Sequence, residues 1–377
     1  MFLGQKIELR PNAEQEEYFL KAVGIKRFVY NHCLAEWNDS YKSGYKPDET
    51  YIRFFYKCLR ERNPWIAEVS ARIGRGAVDD LLLAFKRFFK KQGGHPQFKK
   101  RDVHDSFAIR EKEKFNIDIR KLKIEKLNSK IKMRQRLRFK GVPKQVTISK
   151  TGGKWFASFL IDIDENPFIN KIPTENQGVG IDIGIKSLAA LSDGTIYEAN
   201  QPLKKKLKKL AKLQKKLARK QKGSNRREKI KKKIAKLHYY ISCKRKAILH
   251  EFTDYITRNY NLIVIEDLNV SGMLKNHNLA RAIADVGFYE MRRQLEYKAK
   301  FRHCKLIIAD RFFPSSKICS QCGLKKENLT LADRIFICEN GCPPIDRDIN
   351  SAKNLLKYGR DRIEQDLKRT QELNGYV

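Results

Sequence analysis

Gly178-Val-Gly-Ile-Asp182-Ile-Gly-Ile185 is the stretch that decides the fold. Val179, Ile181, Ile183 and Ile185 alternate with Gly180, Asp182 and Gly184. A strand therefore puts branched aliphatics on one face and a carboxylate between two glycines on the other. Glycines beside an acid leave room for a backbone or a ligand to approach. Downstream, Leu188-Ala-Ala-Leu-Ser192, the Asp193-Gly194 turn and Thr195-Ile-Tyr197 read as the second and third strands of a meander. Tyr260-Asn-Leu-Ile-Val-Ile-Glu266-Asp-Leu268 is a buried strand ending in acid, and Cys304-Lys-Leu-Ile-Ile-Ala-Asp310 is a further strand. Helices lie between them.

Further along, Cys319-Ser-Gln-Cys322 and Cys338-Glu-Asn-Gly-Cys342 bracket a short insert, and Asp346-Arg-Asp348-Ile-Asn-Ser-Ala352 follows. Paired cysteines at this spacing suit a tetrahedral Zn²⁺, and four thiolates leave no open position, so the zinc is expected to be structural. A meander, a long crossover, a parallel strand and a helix bearing the last acid give the order of a ribonuclease-H-like α/β domain. There Asp182, Glu266 and Asp348 would meet at the middle of the sheet. Hard oxygen ligands suit two Mg²⁺ or Mn²⁺ ions, and such a pair activates water and stabilises a leaving oxygen at a phosphodiester. Each acid has a plainer reading. Asp182 could be a turn or edge residue, Glu266 an exposed strand end beside Asp267, and Asp348 a helix N-cap, with Asp346 competing for either job.

The chain has 377 residues with 80 Lys+Arg against 43 Asp+Glu, a formal charge of +37. That excess calls for a polyanion, and nucleic acid fits best. From Lys204 to Lys236 there are eighteen basic residues and one acid, Glu228. Leucines at 203, 207, 210, 213 and 217, a Gly223-Ser-Asn225 break, and Ile230, Ile234, Leu237 and Ile241 predict a helical hairpin over 203–250. Its seam is narrow and its basic face wide. Lys204, Lys205, Lys208, Lys212, Lys215, Arg219, Arg226 and Arg227 are the expected phosphate contacts, with Lys99 and Lys100 upstream. No apolar run approaches the roughly 20 residues of a membrane span, and no signal-peptide core opens the chain. Cys33, Cys58, Cys243 and Cys304 are scattered, which fits a reducing cytoplasm. A nucleoid-associated protein is expected.

The N-terminal half divides differently. Residues 1–10 read as an amphipathic strand. Pro11-Asn-Ala-Glu-Gln-Glu16 starts a helical region that runs to about Phe89, interrupted at Pro64. Gly93-Gly-His-Pro96 ends it. Short alternating stretches from 98 to 164 then predict a small β-barrel or sandwich, with Trp155 in its core and the first strand paired into it. Residues 164–177, with Pro167 and Pro173, read as a linker.

These residues resemble the TnpB family, transposon-encoded RNA-guided DNA nucleases related to the type V CRISPR effectors. The resemblance is carried by Gly24-Ile-Lys-Arg-Phe-Val-Tyr-Asn31, Pro96-Gln-Phe-Lys-Lys100, Gln145-Val-Thr-Ile-Ser149 with Gly153-Lys-Trp155, and Gly180-Ile-Asp182-Ile-Gly184. It continues through Lys222-Gly-Ser-Asn-Arg-Arg227, Val264-Ile-Glu266-Asp-Leu-Asn269 and the ribbon with Asp346-Arg-Asp348-Ile-Asn-Ser-Ala352. One departure is the second cysteine pair, spaced by three residues instead of two. The resemblance implies a wedge β-barrel (1–10 and 96–172) interrupted by a helical recognition domain (11–95). A RuvC-like nuclease domain (173–316 and 346–360) with an inserted zinc ribbon (317–345) follows. The tail 361–377 is left between disorder and folding on RNA. The resemblance also implies Asp182, Glu266 and Asp348 as the metal-binding triad, and Arg334 as a residue that stabilises charge at the cleaved phosphate. Its partners would be a guide RNA from the transposon end and a target duplex DNA, cut beside a short motif by one protein chain with its RNA. The alternative is an RNA-guided DNA-binding protein that does not cut.

Overall fold

The computed structural model describes residues 1–168, 177–199, 201–330 and 333–374. They form two compact units, Met1–Glu165 and Asn166–Val377. Most of the linker expected at 164–177 lies outside the described residues, as do the last three residues of the chain.

In the first unit, β1 (Phe2–Arg10) leads into α1 (Ala13–Lys42), α2 (Glu49–Arg62) and α3 (Ala71–Phe89). Asn12 caps α1 by accepting from the Gln15 amide while the Gln15 side chain accepts from the Asn12 amide, a reciprocal capping box. The break at Pro64 is a 3-10 turn, Pro64–Glu68. Strands β2 (Ser106–Ile109), β3 (Phe115–Asp118), β4 (Lys121–Ile124), β5 (Ile131–Met133), β6 (Val142–Thr151) and β7 (Lys154–Asp162) join β1 in one seven-stranded sheet. Its order is β2-β6-β7-β1-β5-β4-β3, a nearly closed barrel. The first strand thus pairs with β7 and β5, across the whole helical insertion. Phe19 of α1 packs against Phe107 and the core residue Trp155, at ring separations of 5.9 and 5.0 Å.

The second unit is a five-stranded mixed sheet in the order β10-β9-β8-β11-β12, formed by β8 (Gly178–Ile183), β9 (Ser187–Leu191), β10 (Ile196–Glu198), β11 (Leu262–Glu266) and β12 (Lys305–Ala309). β8, β9 and β10 form the antiparallel meander; β11 and β12 run parallel to β8. Between β10 and β11 come α4 (Leu207–Ala218) and α5 (Asn225–Asn259). α6 (Val270–Met273), α7 (Ala280–Val286) and α8 (Phe288–Arg302) connect β11 to β12. The aliphatic face of β8 and β11 (Val179, Ile181, Ile183, Ile263, Ile265) is sealed by Leu249, Phe252 and Ile256 of α5 and by Phe288, Met291 and Leu295 of α8. Phe288 is therefore core.

The other face carries the last helix, α9 (Arg347–Asn374). Leu355 and Leu356 pack there on Leu262, Val264 and Ala309. Gly180 explains how α9 sits so close: a β-carbon at that position would collide with the Ala352 carbonyl oxygen and lie 2.6 Å from the Leu356 amide nitrogen. The room left by the glycine is filled by helix backbone. α9 continues past residue 360 as far as Asn374, so residues 361–374 of the segment expected as a tail extend the helix. Among the described residues, no helix is long and apolar enough to cross a membrane.

Candidate active site and metal centre

The sheet register brings the first two acids together. β8 and β11 pair with Gly180 opposite Val264 and Ile181 opposite Ile265, so one step further Asp182, the last residue but one of β8, comes level with Glu266, the last of β11. Strand alternation gives both the face that α9 covers. α9 then supplies Asp348 from its first turn. All three acids are half-buried.

Side chains from two other segments bind the pair. Ser351 of α9 donates to Asp182 Oδ1 at 3.1 Å, Ser315 donates to Glu266 Oε1 at 2.6 Å, and the two hydroxyl oxygens lie 2.9 Å apart. Two hydroxyl protons serve three oxygen–oxygen gaps. For every gap to be a hydrogen bond, one carboxyl must keep a proton. Burial, then the charges of Glu266 and Asp348, push the Asp182 carboxyl up to about 8. Burial also raises Glu266, with Asp348 adding to it and the serine hydroxyls opposing it. Neighbouring half-buried carboxylates repel one another, and a divalent cation is the kind of partner that relieves this. The donor set fits Mg²⁺ or Mn²⁺.

Asp346 has another job. Its Oδ1 accepts from the amides of Asp348 (2.9 Å) and Ile349 (3.1 Å), capping α9. Asp267, beside Glu266, is ion-paired with Arg292 at 2.7 Å and Arg311 at 2.6 Å, which holds it below the usual carboxylate range. Arg334 is exposed. Its carbonyl accepts from the Arg347 amide at 2.9 Å, which puts it across a short ribbon from the residue before Asp348. That ribbon is β13 (Ile335–Phe336) paired with β14 (Ile345–Asp346).

Cys319, Cys322, Cys338 and Cys342 converge, with all four sulfurs within 4.8 Å of one another; among the described residues no other such group occurs. The carboxylates are drawn together less tightly, as like charges with serines between them should be. Gly323 (φ +81°) and Gly341 (φ +73°) turn the chain in the left-handed region after the first pair and inside the second. The extra residue between Cys338 and Cys342 is thus absorbed in a glycine turn. The Leu324 amide helps pull the Cys322 thiol down to about 7, and the Asn340 amide donates to Cys338 Sγ at 3.4 Å. A four-thiolate cluster of this kind suits a metal such as zinc. Cys319 and Cys338 pack with Phe336, Leu324 and Ile345 in a small core of their own.

The basic hairpin forms as expected, with Leu210, Leu237 and Ile241 in its seam. Buried Asp285 anchors its base by accepting from the amides of Leu203 and Lys204 and from Arg245. Lys204, Lys205, Lys208, Lys212, Lys215, Arg219 and Arg226 are exposed. Arg227 is not among them: its guanidinium donates to the carbonyls of Leu217 (2.7 Å) and Lys220 (2.9 Å), closing the C-terminal end of α4. In the first unit, Lys100 is exposed, whereas Lys99 packs 3.8 Å over the Tyr30 ring. Burial and Lys26 push the Lys99 amine down to about 8. Ser315, Ser351, Asn350 and Asn354 are the site residues that sequence reasoning passed over; all are buried polar side chains near the two motifs.

Comparison with known proteins shows what the chain is similar to. Residues 158–277 match the family described as "Probable transposase" (OrfB of IS605), and residues 288–355 match the "Cas12f1-like, TNB domain". Residues 1–46 match a "Helix-turn-helix domain"; here they form β1 and the single continuous helix α1. "Putative RNA-guided DNA endonuclease InsQ" of Escherichia coli K12 is 33% identical over 94% of this chain and 91% of its own length. "Putative RNA-guided DNA endonuclease" of Streptomyces pristinaespiralis is 33% identical over 94% and 88%. A solved Cas12f1-sgRNA-target DNA complex superposes with a TM-score of 0.36 at 17% identity, covering 94% of this chain and 99% of the other.

Proposed function

We propose that this chain, which belongs to the TnpB family of transposon-encoded proteins, is an RNA-guided DNA endonuclease that hydrolyses phosphodiesters at Asp182, Glu266 and Asp348. The observation that carries the reading is the convergence of the three acids on the α9 face of the sheet, where Asp182 is pushed up to about 8 by burial and by the other two. Such a site is unfavourable alone and favourable around cations. Asp182, Glu266 and Asp348 would hold two Mg²⁺ or Mn²⁺ ions, which when bound supply Lewis acidity to the attacking water and the leaving oxygen. Ser315 and Ser351 orient the carboxylates by donating to them. Asp348 is preferred to Asp346 because the Asp346 carboxylate already caps α9. Arg334 would offset charge at the cleaved phosphate from across the ribbon.

The cysteine ribbon would hold one structural Zn²⁺. The exposed lysines of α4, with Arg219 and Arg226, would track phosphates of the guide RNA or the target DNA. The protein would act with its RNA on nucleoid DNA beside a short motif. The test uses purified protein with its copurified RNA, a duplex carrying the guide match, and Mg²⁺. Cutting that requires both the RNA and the match supports the reading. RNA-dependent binding of the matched duplex without cutting would favour a guided binding protein instead, and cutting without RNA would remove the guide.

A further inference from the structure

Asn350 and Asn354 lie one turn apart on α9 and are buried, at 0% and 3% exposure. Neither touches a carboxylate in question. Asn350 accepts from the Ser320 amide at 2.8 Å and donates to the Ile318 carbonyl at 2.7 Å. Asn354 uses its amide nitrogen twice, donating to the Ser315 carbonyl at 2.7 Å and to the Ile318 carbonyl at 2.6 Å. These four hydrogen bonds, with the Ser351–Ser315 hydroxyl contact as a fifth, tie residues 315–320 to α9.

That six-residue segment has a distinct chemical group towards each end. Cys319, the first thiol of the ribbon, is near one end. Ser315 is at the other, with its carbonyl held by Asn354 and its hydroxyl donating to Glu266 at 2.6 Å. The amide of Cys319 is already tied into its knuckle by the Leu324 carbonyl at 2.9 Å. A shift of the knuckle therefore has a short rigid path to the carboxylate, and the two asparagines are its fixed points. Buried amide side chains are kept where they satisfy backbone groups that would otherwise be orphaned. At 354 the demand is for two donors on one nitrogen, which aspartate cannot meet.

We propose that Asn354 and Asn350 are positioning residues that fix Glu266 through Ser315 and couple its place to the first cysteine knuckle, so that the ribbon is part of the divalent-cation site. The proposal rests on the reading of Glu266 as a cation ligand. Residues that orient a ligand from behind alter metal affinity by about 10- to 100-fold when changed.

The experiment titrates Mn²⁺ into the RNA-bound protein and follows the free-ion signal by electron paramagnetic resonance, without DNA and without cutting. Glu266→Gln is the reference, expected to lose the tight Mn²⁺ site. Asn354→Asp and Ser315→Ala should each weaken Mn²⁺ binding by about tenfold. The double variant should be no weaker than the worse single one, because both act in series on one carboxylate. Zinc content should be unchanged, and in steady-state cutting kcat should fall with KM constant. Should Asn354→Asp fail to fold, Asn350→Asp replaces it in the same cycle. It keeps the acceptor for Ser320, loses the donor to Ile318, and is expected to weaken Mn²⁺ binding by about tenfold. Wild-type Mn²⁺ affinity in the asparagine variant, or losses that multiply in the double, overturns the proposal while the Glu266 reading stands. Unchanged Mn²⁺ binding in Glu266→Gln overturns that reading, and the proposal with it.

Discussion

Replacing Asp182 by asparagine should stabilise the protein in the absence of divalent cations. Asparagine keeps the shape and the contact with Ser351 but removes a carboxyl that burial and two neighbouring acids push up to about 8. The sign follows from linkage. The folded carboxyl holds its proton to higher pH than the unfolded one, so its contribution is intact below about pH 4 and is lost as pH rises through about 8. With 1.36 kcal/mol per tenfold in proton affinity, the penalty near neutral pH is about 4 kcal/mol. In a unit of this size that is a rise in melting midpoint of roughly 10 °C for Asp182→Asn. The assay is thermal unfolding of the zinc-loaded, RNA-free protein from pH 4 to 9, read as the difference between variant and wild type. The difference should be near zero at pH 4 and largest above pH 8. Millimolar Mg²⁺ should shrink it, because only the wild type gains from binding. A variant no more stable than wild type at pH 8.5, or a difference that is flat with pH, would refute the reasoning.

Other outcomes follow from the same geometry. Gly180→Ala places a β-carbon against the backbone of Ala352 and Leu356, so urea unfolding should show a loss of about 3 kcal/mol, the upper end of the usual overpacking cost. Lys208→Glu, Lys212→Glu and Lys215→Glu together should weaken RNA binding and make the slope of log affinity against log salt shallower by about 2; an unchanged slope would place the RNA elsewhere. Cys322→Ser should abolish zinc retention and open the ribbon, seen as zinc loss together with new tryptic cleavage between Lys317 and Lys326.

The parts of this architecture that the sequence revealed are those with a local signature. Alternation around Asp182, the run Leu262–Glu266 and the leucine seam of the hairpin each report on the next few residues, and each formed in place. Pro11 and Asn12, with the early acids Glu14 and Glu16, announced a helix start for the same reason. What was hidden depends on residues far apart in the chain. Ser351 reaches Asp182 across 169 positions, and Ser315 reaches Glu266 across 49; Ser351 sits inside the Asp346–Ala352 motif, but nothing in that motif tells which distant carboxylate its hydroxyl meets, and nothing around Ser315 marks it. Arg227 looked like its neighbours in a basic run, and only the turn between α4 and α5 directs it to helix carbonyls. Lys99 likewise packs on Tyr30, a contact that requires α1 and the segment after α3 to have met. The rivalry between Asp346 and Asp348 could not be judged from spacing, because both lie within capping distance of the same helix. In the fold, backbone amides draw the Asp346 carboxylate into the helix cap.

The most direct measurement is single-turnover cutting of a guide-matched duplex by the RNA-bound protein in Mg²⁺, comparing Asp182→Asn, Glu266→Gln and Asp348→Asn with Asp346→Asn, and with duplex binding measured alongside. The first three should bind as wild type yet cut about a thousandfold more slowly or worse, roughly 4 kcal/mol of transition-state stabilisation. Asp346→Asn should retain cutting within about tenfold, since asparagine still caps a helix. Wild-type cutting by any of the three, or a loss at Asp346 as deep as at Asp348, would contradict the assignment of the site.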